Sequence, residues 1–331
     1  MAQCMDCSEY AAMKVAVCVA TRGRPHMLFN ALCSLAKIER PSGAELVFVV
    51  VENDHAPNCR GIVDGIRSNF EGCEVHYLLE ENIGIPAARN TAVGFAVSMS
   101  ANVVAFIDDD EVVDSGWLVE LLSTHRSSGA LLLGGPVLAA TSPNGATMVQ
   151  RLIHSSIARR YLRKANRASR LSAKGHDHKV TITTGNWFGS TELFTRYGLR
   201  FDEKMRLSGG SDAAFFAEVR ALKIRVRWVP NALAYETIPG ERLDSRYQLR
   251  RAFDQSTTSF RRKLLKSKLH ATSLLVTLPL RAIGVAVLAI AIIPTCGLTY
   301  LSTLRGVGWM AGRIAAVFGR EAALYADVTG D

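Results

Sequence analysis

The chain has 331 residues, of which 48% are hydrophobic and 21% are charged, so it can bury a large core and is not a disordered protein. Its formal net charge of +9 is concentrated in two segments, Arg151–Lys179 with nine Lys and Arg against Asp177, and Arg246–His270 with eight against Asp254. The rest of the chain is acidic on balance, which indicates anionic partners, such as nucleic acid or membrane phosphate, bound at defined places. The seven cysteines are odd in number and scattered, which favours a reducing compartment.

Strand-like and helix-like segments alternate over residues 14–135, which predicts a doubly wound α/β unit with a parallel sheet. The predicted strands are Lys14–Ala20, Glu45–Val51, Glu74–Leu79 and Val103–Ile107. Pro25 and Pro86 each stand in the first turn of a predicted helix, where a missing N–H costs little. Polar side chains follow three of the strands and therefore fall at the carboxyl edge of the sheet, where ligands bind in such folds: Thr21, Glu52–Asp54 and Asp108–Glu111.

Beyond Pro136 this alternation ends. A basic amphipathic helix is predicted from Gln150 to about Arg170. Its apolar stripe consists of Ile153, Ile157, Tyr161 and Ala165. The later predicted elements are a strand at Lys179–Ser190, a Gly-rich turn and helix at Leu207–Leu222, and a strand at Ile224–Pro230.

The C-terminal part of the chain is strongly apolar. Residues 282–304 form a run of 23 without a charge, and at about 1.5 Å per residue such a run could cross a hydrocarbon core. Pro294 and Gly297 interrupt it, so the sequence leaves open a helix pair lying in a membrane, a single spanning helix, or a buried helix of a soluble domain. The basic residues ahead of it predict, by the positive-inside rule, that the body of the protein faces the cytoplasm.

Four carboxylates follow the fourth predicted strand directly, at Asp108–Glu111 in VVAFIDDDEV. Neighbouring like charges repel, so something cationic is expected to neutralise them. In an extended chain Asp108 and Asp110 project to one side and Asp109 to the other. Two hard oxygen donors at this spacing suit Mg²⁺ or Mn²⁺, which keep coordination positions open for substrate phosphates. A solvated acidic loop is the alternative.

Seven motifs occur in the order and at roughly the spacing of family 2 glycosyltransferases with the GT-A fold. They are VATRGRP (Val19–Pro25), VVVENDHAP (Val49–Pro57), NIGIPAARNTA (Asn82–Ala92), FIDDDEVVDSGWL (Phe106–Leu118), GGPV (Gly134–Val137), GGSDAAFF (Gly209–Phe216) and YETIPGERL (Tyr235–Leu243). Over about residues 14–260 the chain most resembles the bacterial exopolysaccharide branch that includes the succinoglycan β-glucosyltransferases. The resemblance implies transfer of a sugar from a nucleotide diphosphate donor with inversion at the anomeric carbon.

The same resemblance implies roles for residues near the donor. Thr21, Glu52 and Asp54 would surround the nucleoside, with Glu52 or Asn53 where the family often has an aspartate that touches the base. Arg89 matches the family arginine near the nucleotide.

It also implies a metal site and a general base. Asp108 and Asp110 match the family's Asp-x-Asp, with Asp110 as the more direct metal ligand, and Asp108 and Asp109 are expected at the nucleotide sugar. Asp212 matches the general base, although Ser211 replaces the glutamate that normally precedes it. A simple helix cap is the alternative role for Asp212.

Five further residues are candidates around the diphosphate and the acceptor. Arg242, Arg250 and Arg251 could hold the donor diphosphate or an acceptor pyrophosphate, or contact membrane headgroups. Trp187 could line an acceptor groove or belong to the core. Glu236 stands where many relatives have a metal-ligating histidine, and it is expected to lie behind the ligands.

These interpretations divide the chain into an N-terminal tail (1–13), a GT-A catalytic domain (14–245) with a nucleotide-sugar half (14–135) and an acceptor half (136–245), a basic juxtamembrane segment (246–270), membrane-associated helices (271–320) and a tail (321–331). The expected partners are UDP-glucose, a lipid-linked saccharide or other membrane acceptor, Mg²⁺ or Mn²⁺ and the membrane, and not nucleic acid, because few aromatics interleave with the basic residues. The expected location is the inner membrane, with the catalytic domain on the cytoplasmic side.

Two alternatives come from other functional classes. IDDDEV also fits the Asp-x-Asp-x-Val of haloacid-dehalogenase-type phosphatases, in which Asp108 would be the nucleophile, although there the motif follows the first strand. The basic segments also fit a non-catalytic protein that binds polyanions or membranes.

Overall fold

The computed structural model describes residues 13–206, 210–267 and 272–320. The predicted tails, apart from Met13, and the start of the Gly-rich turn at 207–209 lie outside the described residues, as do residues 268–271.

Strands and helices alternate as far as the second half of the chain, after which only helices follow. The strands are β1 (Met13–Thr21), β2 (Ala44–Glu52), β3 (Glu74–Leu79), β4 (Val103–Asp108), β5 (Glu111–Val113), β6 (Leu132–Gly134), β7 (Val137–Ala139), β8 (Asn186–Ser190), β9 (Val226–Trp228) and β10 (Ala234–Glu236). The helices are α1 (Pro25–Leu35), α2 (Arg60–Ile66), α3 (Ile85–Ser98), α4 (Trp117–Ser128), α5 (Met148–Ala173), α6 (Glu192–Thr195), α7 (Ser211–Ala221), α8 (Ser245–Lys266), α9 (Leu274–Ile290) and α10 (Tyr300–Val317).

The main sheet has the order β3-β2-β1-β4-β8-β6-β9. β3, β2, β1 and β4 are parallel, which confirms the predicted α/β unit. The chain builds outward from β1 to β3 and then returns to place β4 on the other side of β1, so Thr21 and Asp108 end adjacent strands at the point where the strand order reverses. Ligands bind at such a point in doubly wound sheets.

Each face of the sheet is covered by helices. Alternate residues of β1 point to opposite faces, so Val15, Val17 and Val19 pack with α1, α2 and α4, whereas Ala16 and Cys18 pack with α3 and α7. Because both faces are buried, β1, β2 and β4 consist of almost continuous apolar residues. This rigid layer holds the carboxyl edge of the sheet in place.

The second half of the sheet departs from the prediction. β8 runs antiparallel to both β4 and β6, and it covers only the last five residues of the predicted strand Lys179–Ser190. The predicted strand Ile224–Pro230 is reduced to β9. Side-chain bonds from Asn186 replace ladder bonds here, because its amide donates to the carbonyl oxygens of Pro136 and Ala232 and accepts from the indole N–H of Trp117.

A small second sheet with the order β5-β10-β7 lies beside the acidic turn. It pairs Glu236 with Glu111 in register, so it brings a distant glutamate next to the predicted metal site. The basic helix α5 packs against this sheet with Ile153 and Ile157, as predicted, and begins at a capping box formed by Thr147 and Gln150.

The C-terminal helices pack as a compact group on the catalytic part. α8 starts at Asp244, whose carboxylate accepts from two backbone N–H groups, and α10 packs closely along it. A Cβ on Gly308 or Gly312 of α10 would collide with the carbonyl oxygens of Leu249 and Phe253, so the two helices approach through backbone contact.

A turn between α9 and α10 interrupts the uncharged run 282–304, so of the alternatives left open by the sequence the run does not form a single helix. Among the residues that the structure describes, no helix combines the length and the apolar character needed to cross a bilayer.

Candidate active site

The acidic turn begins where β4 ends. Asp109 and Asp110 form a two-residue turn between β4 and β5, so the strict alternation expected for an extended chain stops at Asp108. As a result Asp109 and Asp110 both contact the guanidinium of Arg24, which corrects the expectation that they point to opposite sides.

Asp109 is the most enclosed of the three aspartates, with 5% of its surface exposed. Its carboxylate accepts from the Thr21 hydroxyl at 2.9 Å and from Arg24 Nη1 at 2.9 Å. Burial raises the pKa of Asp109 to about 6, although the Arg24 charge favours the ionised form. Thr21 therefore positions an acidic side chain.

Asp110 lies between two arginines. Arg242 Nη1 is 3.1 Å and Arg24 Nη1 is 3.4 Å from its Oδ2. Arg242 also approaches Glu236 Oε1 at 3.6 Å, and Glu236 Oε2 accepts from the Tyr161 hydroxyl at 2.6 Å. Burial and the charge of Asp110 raise the pKa of Glu236. Glu236 and Asp110 thus share Arg242.

Asp108 is the aspartate most open to the cleft, with 44% of its side chain exposed. Its backbone N–H donates to Glu111 Oε2 at 3.0 Å, and a Cβ on Gly185 would collide with the other oxygen of Glu111. Burial and the charges of Asp108 and Asp110 hold the pKa of Glu111 well above its usual range. Glu111 therefore supports the turn from its buried side, and the Asp108 carboxylate faces the cleft.

Arg89 joins the acidic turn to the helix that carries Asp212. Its Nη2 lies 3.2 Å from Asp108 Oδ1, and its Nη1 lies 3.5 Å from the hydroxyl of the buried Ser211. The pKa of Asp108 is raised by desolvation and by the charges of Asp110 and Asp212, against the effect of Arg89. These contacts place the carboxylates of Asp108 and Asp212 in one cleft.

Asp212 lies inside the first turn of α7, where its Oδ1 accepts from the N–H of Ala213 at 2.8 Å. The N-cap of α7 is Gly210, with φ of 87°, and it caps without a side chain. The helix-cap alternative for Asp212 is therefore wrong.

Glu52, one of the residues predicted to surround the nucleoside, lies at the end of β2. Its Oε2 accepts from the backbone N–H of Cys59 at 2.8 Å and from the Tyr77 hydroxyl at 2.5 Å. Its Oε1 is buried and has no hydrogen-bond partner among the described residues. Asn53 instead uses its amide on the carbonyls of Glu80 and Asn82 and on the N–H of Gly84. Of the two candidates for base contact, only Glu52 keeps an unused acceptor.

Two other candidates, Asp54 and Trp187, lie in different surroundings. Asp54 lies half-buried after β2, and its carboxylate accepts from the N–H of His55. Trp187 is 1% exposed and packs among Phe106, Phe194 and Phe215, so it belongs to the core and not to an acceptor groove.

Arg250 lies away from the acidic turn. Its side chain is 75% exposed, and its Nε lies 3.9 Å from Asp254. This corrects its assignment as a diphosphate ligand. Arg251, one position further along α8, does line a cavity beside Glu236 and Arg242.

Sequence reasoning missed three basic residues of this region. Arg24 pairs with the acidic turn, and its position just before a helix-opening proline in VATRGRP was an available signal. Arg160 and Arg305 line the same cavity as Arg251. Arg305 follows the uncharged run directly, which is the one sign of it in the sequence.

The chemistry of the turn fits a hard divalent cation. Asp108 and Asp110 offer carboxylate oxygens, which are the ligands that such ions prefer. Burial, with a smaller contribution from the neighbouring carboxylates, raises the pKa of Asp108, Asp109 and Glu111. Within the described residues there is no group of three or more His, Cys, Asp or Glu side chains placed to hold a metal ion. An ion at Asp108 and Asp110 would need substrate oxygens to complete its coordination.

The family model "Glycosyltransferase like family 2" matches residues 12–264. This chain belongs to the family 2 glycosyltransferases. A relative of this family 2 enzyme, the succinoglycan biosynthesis protein ExoM of Rhizobium meliloti (strain 1021), is 30% identical over 252 residues, which cover 76% of this chain and 75% of ExoM. Family membership argues against both the phosphatase and the non-catalytic alternatives.

Solved structures of similar fold support the GT-A architecture of this family 2 chain. The mannosyltransferase PcManGT from Pyrobaculum calidifontis, in complex with GDP-Man and Mn²⁺, matches with a TM-score of 0.60 and 17% identity over 96% of this chain and 90% of its own. S. aureus TarS 1-349 in complex with UDP matches with a TM-score of 0.51 and 18% identity over 93% and 92% of the two chains. At this identity the likeness concerns the fold.

Proposed function

We propose that this family 2 enzyme transfers a sugar from a nucleotide diphosphate donor to a membrane acceptor with inversion, and that Asp212 is the general base. The observation that carries the proposal is the Arg89 link, which spans from Asp108 on the donor side to Ser211, next to Asp212, on the acceptor side. An inverting displacement needs a base on the face of the sugar opposite to the leaving diphosphate.

In the proposed reaction, the acceptor oxygen forms a bond to the anomeric carbon while the bond from that carbon to the diphosphate oxygen breaks. The hydroxyl proton passes to the Asp212 carboxylate, and the nucleoside diphosphate leaves with the electron pair. Glu52 Oε1 offers an acceptor for an N–H of the base, and Thr21 and Arg24 hold Asp109 in place beneath the donor.

A divalent cation, Mg²⁺ or Mn²⁺, would be held by Asp108 and Asp110. When bound, it supplies positive charge to the departing diphosphate. Arg24 and Arg242 fix the Asp110 carboxylate, and Arg89 holds Asp108, so the two ligands are oriented before the ion arrives.

We further propose UDP-glucose as donor and a lipid-linked saccharide as acceptor in exopolysaccharide biosynthesis. The name of ExoM supports the pathway, and the nucleotide and sugar nucleotide in the TarS and PcManGT structures support the donor class. Addition of one sugar per encounter fits the short pair of apolar helices, α9 and α10, in the described part of the C-terminal region.

The proposed location is the cytoplasmic side of the inner membrane, with α9 and α10 lying in the interface. An exposed apolar stripe follows helical spacing along α9 and continues into the turn after it: Val276, Leu280, Ile283, Val287, Ile290 and Ile293. A stripe of this kind is typical of helices that lie in the plane of a membrane surface.

The test is Asp212→Asn, which keeps the size of the side chain and removes its basicity. In membranes supplied with labelled UDP-glucose and Mn²⁺, we expect transfer of label into the lipid extract to fall at least about 10²-fold, with donor affinity unchanged, because general-base catalysis contributes roughly 10²–10⁴-fold. EDTA should abolish transfer by the wild type.

The matched control is Glu218→Gln, which removes a carboxylate from an exposed position of the same helix and should transfer at the wild-type rate. Wild-type transfer by Asp212→Asn would overturn the base assignment. Failure of the wild type to bind any UDP-, GDP- or TDP-sugar would overturn the function itself.

A further inference from the structure

A cavity of about 40 Å³ lies where the catalytic part meets the C-terminal helices. Residues from α5, β10, α8 and α10 line it, and Arg242 contributes from the short turn before α8. Because one buried water needs about 10–15 Å³, the cavity has room for a group the size of a phosphate and none for a nucleotide.

The lining is strongly cationic. Four arginines, Arg160, Arg242, Arg251 and Arg305, face a single acid, Glu236. Glu236 is already engaged by the Tyr161 hydroxyl and Arg242, and Arg242 also pairs with Asp110. The surplus positive charge of the cavity therefore lies on the side of α5, α8 and α10.

Arg305 is held in place for a ligand. Its Nε and Nη2 both donate to Gln248 Oε1, at 3.1 and 2.7 Å, and Gln248 in turn donates to the carbonyl oxygen of Arg242. Burial and the charges of Arg160 and Arg251 lower the pKa of Arg305 to about 10. An anion between these guanidinium groups would remove that repulsion.

The cavity lies between the acidic turn and the C-terminal helices. On one side Arg242 connects it to Asp110 of the acidic turn, and on the other Arg305 belongs to α10, which packs against the apolar helix α9. An anion here would therefore lie next to the arginine that holds Asp110, beside a helix that packs against the apolar helix α9.

We propose that this cavity binds the phosphate or diphosphate through which the acceptor saccharide is joined to its lipid. The proposal rests on the proposed function, since it presumes a lipid-linked acceptor. It assigns Arg160, Arg251 and Arg305 to the acceptor phosphate, and Arg242 to the boundary between acceptor and donor.

The first experiment measures binding of inorganic pyrophosphate to the full chain in detergent by calorimetry, with EDTA present so that the acidic turn holds no metal. We expect the wild type to bind, and Arg160→Gln and Arg305→Gln each to bind about tenfold more weakly or worse, because each removes a charged hydrogen-bond donor from the anion. Arg163→Gln, the same charge change on the exposed surface of α5, should bind as the wild type does.

UDP binding in the presence of Mn²⁺ is measured on the same variants and should stay unchanged. This separates the two proposals. If the wild type does not bind UDP, the proposed function is wrong. If the wild type and all three variants bind pyrophosphate with equal affinity, only the cavity assignment is wrong. Arg160→Gln is included because Arg160 is exposed, so its substitution should not disturb folding. Arg305→Gln could do so, because Arg305 also donates to Gln248.

A second measurement separates an acceptor phosphate from a membrane headgroup. Farnesyl diphosphate should compete with pyrophosphate in the wild type, and partitioning onto phosphatidylglycerol vesicles should be equal for Arg160→Gln and Arg163→Gln. If Arg160→Gln alone loses vesicle binding and keeps its affinity for farnesyl diphosphate, the cavity binds headgroups and the proposal is wrong.

Discussion

Three arginines from distant parts of the chain stabilise the carboxylates of the acidic turn. Arg24, Arg89 and Arg242 each lie within 3.4 Å of an aspartate oxygen. Their positive charges offset the repulsion between the neighbouring carboxylates, so the turn keeps its shape before a cation binds. The acidic turn is therefore preorganised for the cation that we propose it binds.

One buried acid outside the cleft serves stability instead. The Asp177 carboxylate accepts from the Ser172 hydroxyl at 2.7 Å, from the backbone N–H of Trp228 at 2.9 Å and from the Arg227 guanidinium at 2.9 Å. It connects the end of α5 to β9, in a loop whose two histidines have a metal-like spacing. We expect Asp177→Ala to lower the free energy of unfolding by about 2–3 kcal/mol, because the buried Trp228 N–H loses its acceptor.

Denaturant unfolding measures this effect, and Asp64→Ala is the control. Asp64 forms a 3.0 Å ion pair with Arg67 in which both side chains are about half exposed, so its removal should cost less than about 1 kcal/mol. Similar losses for the two variants would contradict the structural role of Asp177. UDP affinity should be unchanged in both.

Residue identities were predictable where a motif places a side chain at a strand end. Asp108–Asp110 and Glu52 fall at the ends of β4 and β2 as the sequence implied. The pairing of Arg24 with the acidic turn had only a weak local signal, and the positions of Arg160 and Arg305 beside Glu236 depend on packing between distant elements that local spacing does not encode. For Trp187 the sequence left the core and an acceptor groove open, because an aromatic residue suits both, and the structure places it in the core.

At the level of elements, the contact of α8 with α10 depends on glycines. Gly312 lies against the carbonyl of Phe253, and the Thr257 hydroxyl donates to the Gly312 carbonyl at 3.1 Å. We expect Gly312→Ala to destabilise this pair by about 1–3 kcal/mol, because a methyl group there forces the two backbones apart.

Gly284→Ala is the matched control in α9. No atom of the described structure lies within 4 Å of a Cβ at Gly284, so alanine should be neutral or stabilising by about 0.5–1 kcal/mol. Limited proteolysis after α8 and thermal unfolding report the difference. Equal behaviour of the two variants would mean that the close approach of α8 and α10 is not needed.

The elements of the first half were predictable and those of the second half were less so. β1, β2 and β4 are long apolar runs between turn signals, which is the strongest pattern a buried parallel strand gives. β6, β7, β9 and β10 have three residues each, too few for any periodicity. The hydrogen bonds of Asn186 and the pairing within the small sheet stabilise these strands, and neither can be recognised from the local sequence.

On the scale of the whole molecule, charge and apolar surface are separated. α9 exposes an apolar stripe in which Leu280 is 64% and Ile283 is 63% exposed. We expect the double variant Leu280→Ser, Ile283→Ser to lose about tenfold or more in partitioning onto anionic vesicles, because each buried leucine or isoleucine is worth about 1.5–3 kcal/mol. Co-sedimentation with phosphatidylglycerol vesicles measures this partitioning.

Phe29→Ser is the control, since Phe29 is an exposed apolar residue on α1, far along the chain from the C-terminal helices. It should bind vesicles as the wild type does. Unchanged partitioning of the double variant would place membrane contact elsewhere in the chain.

The position of β8 between β4 and β6 has a consequence for synthesis on the ribosome. β4 is complete at residue 108, but one of its edges stays unpaired until residues 186–190 have left the exit tunnel. The hydrogen bond from the Asn186 amide to the Ala232 carbonyl can form only after residue 232 has also emerged. Throughout that interval the nascent chain exposes the edge of a strand whose first five residues are apolar, which is a site for pairing with other chains. Shielding by a chaperone over this window is what such a translation intermediate requires.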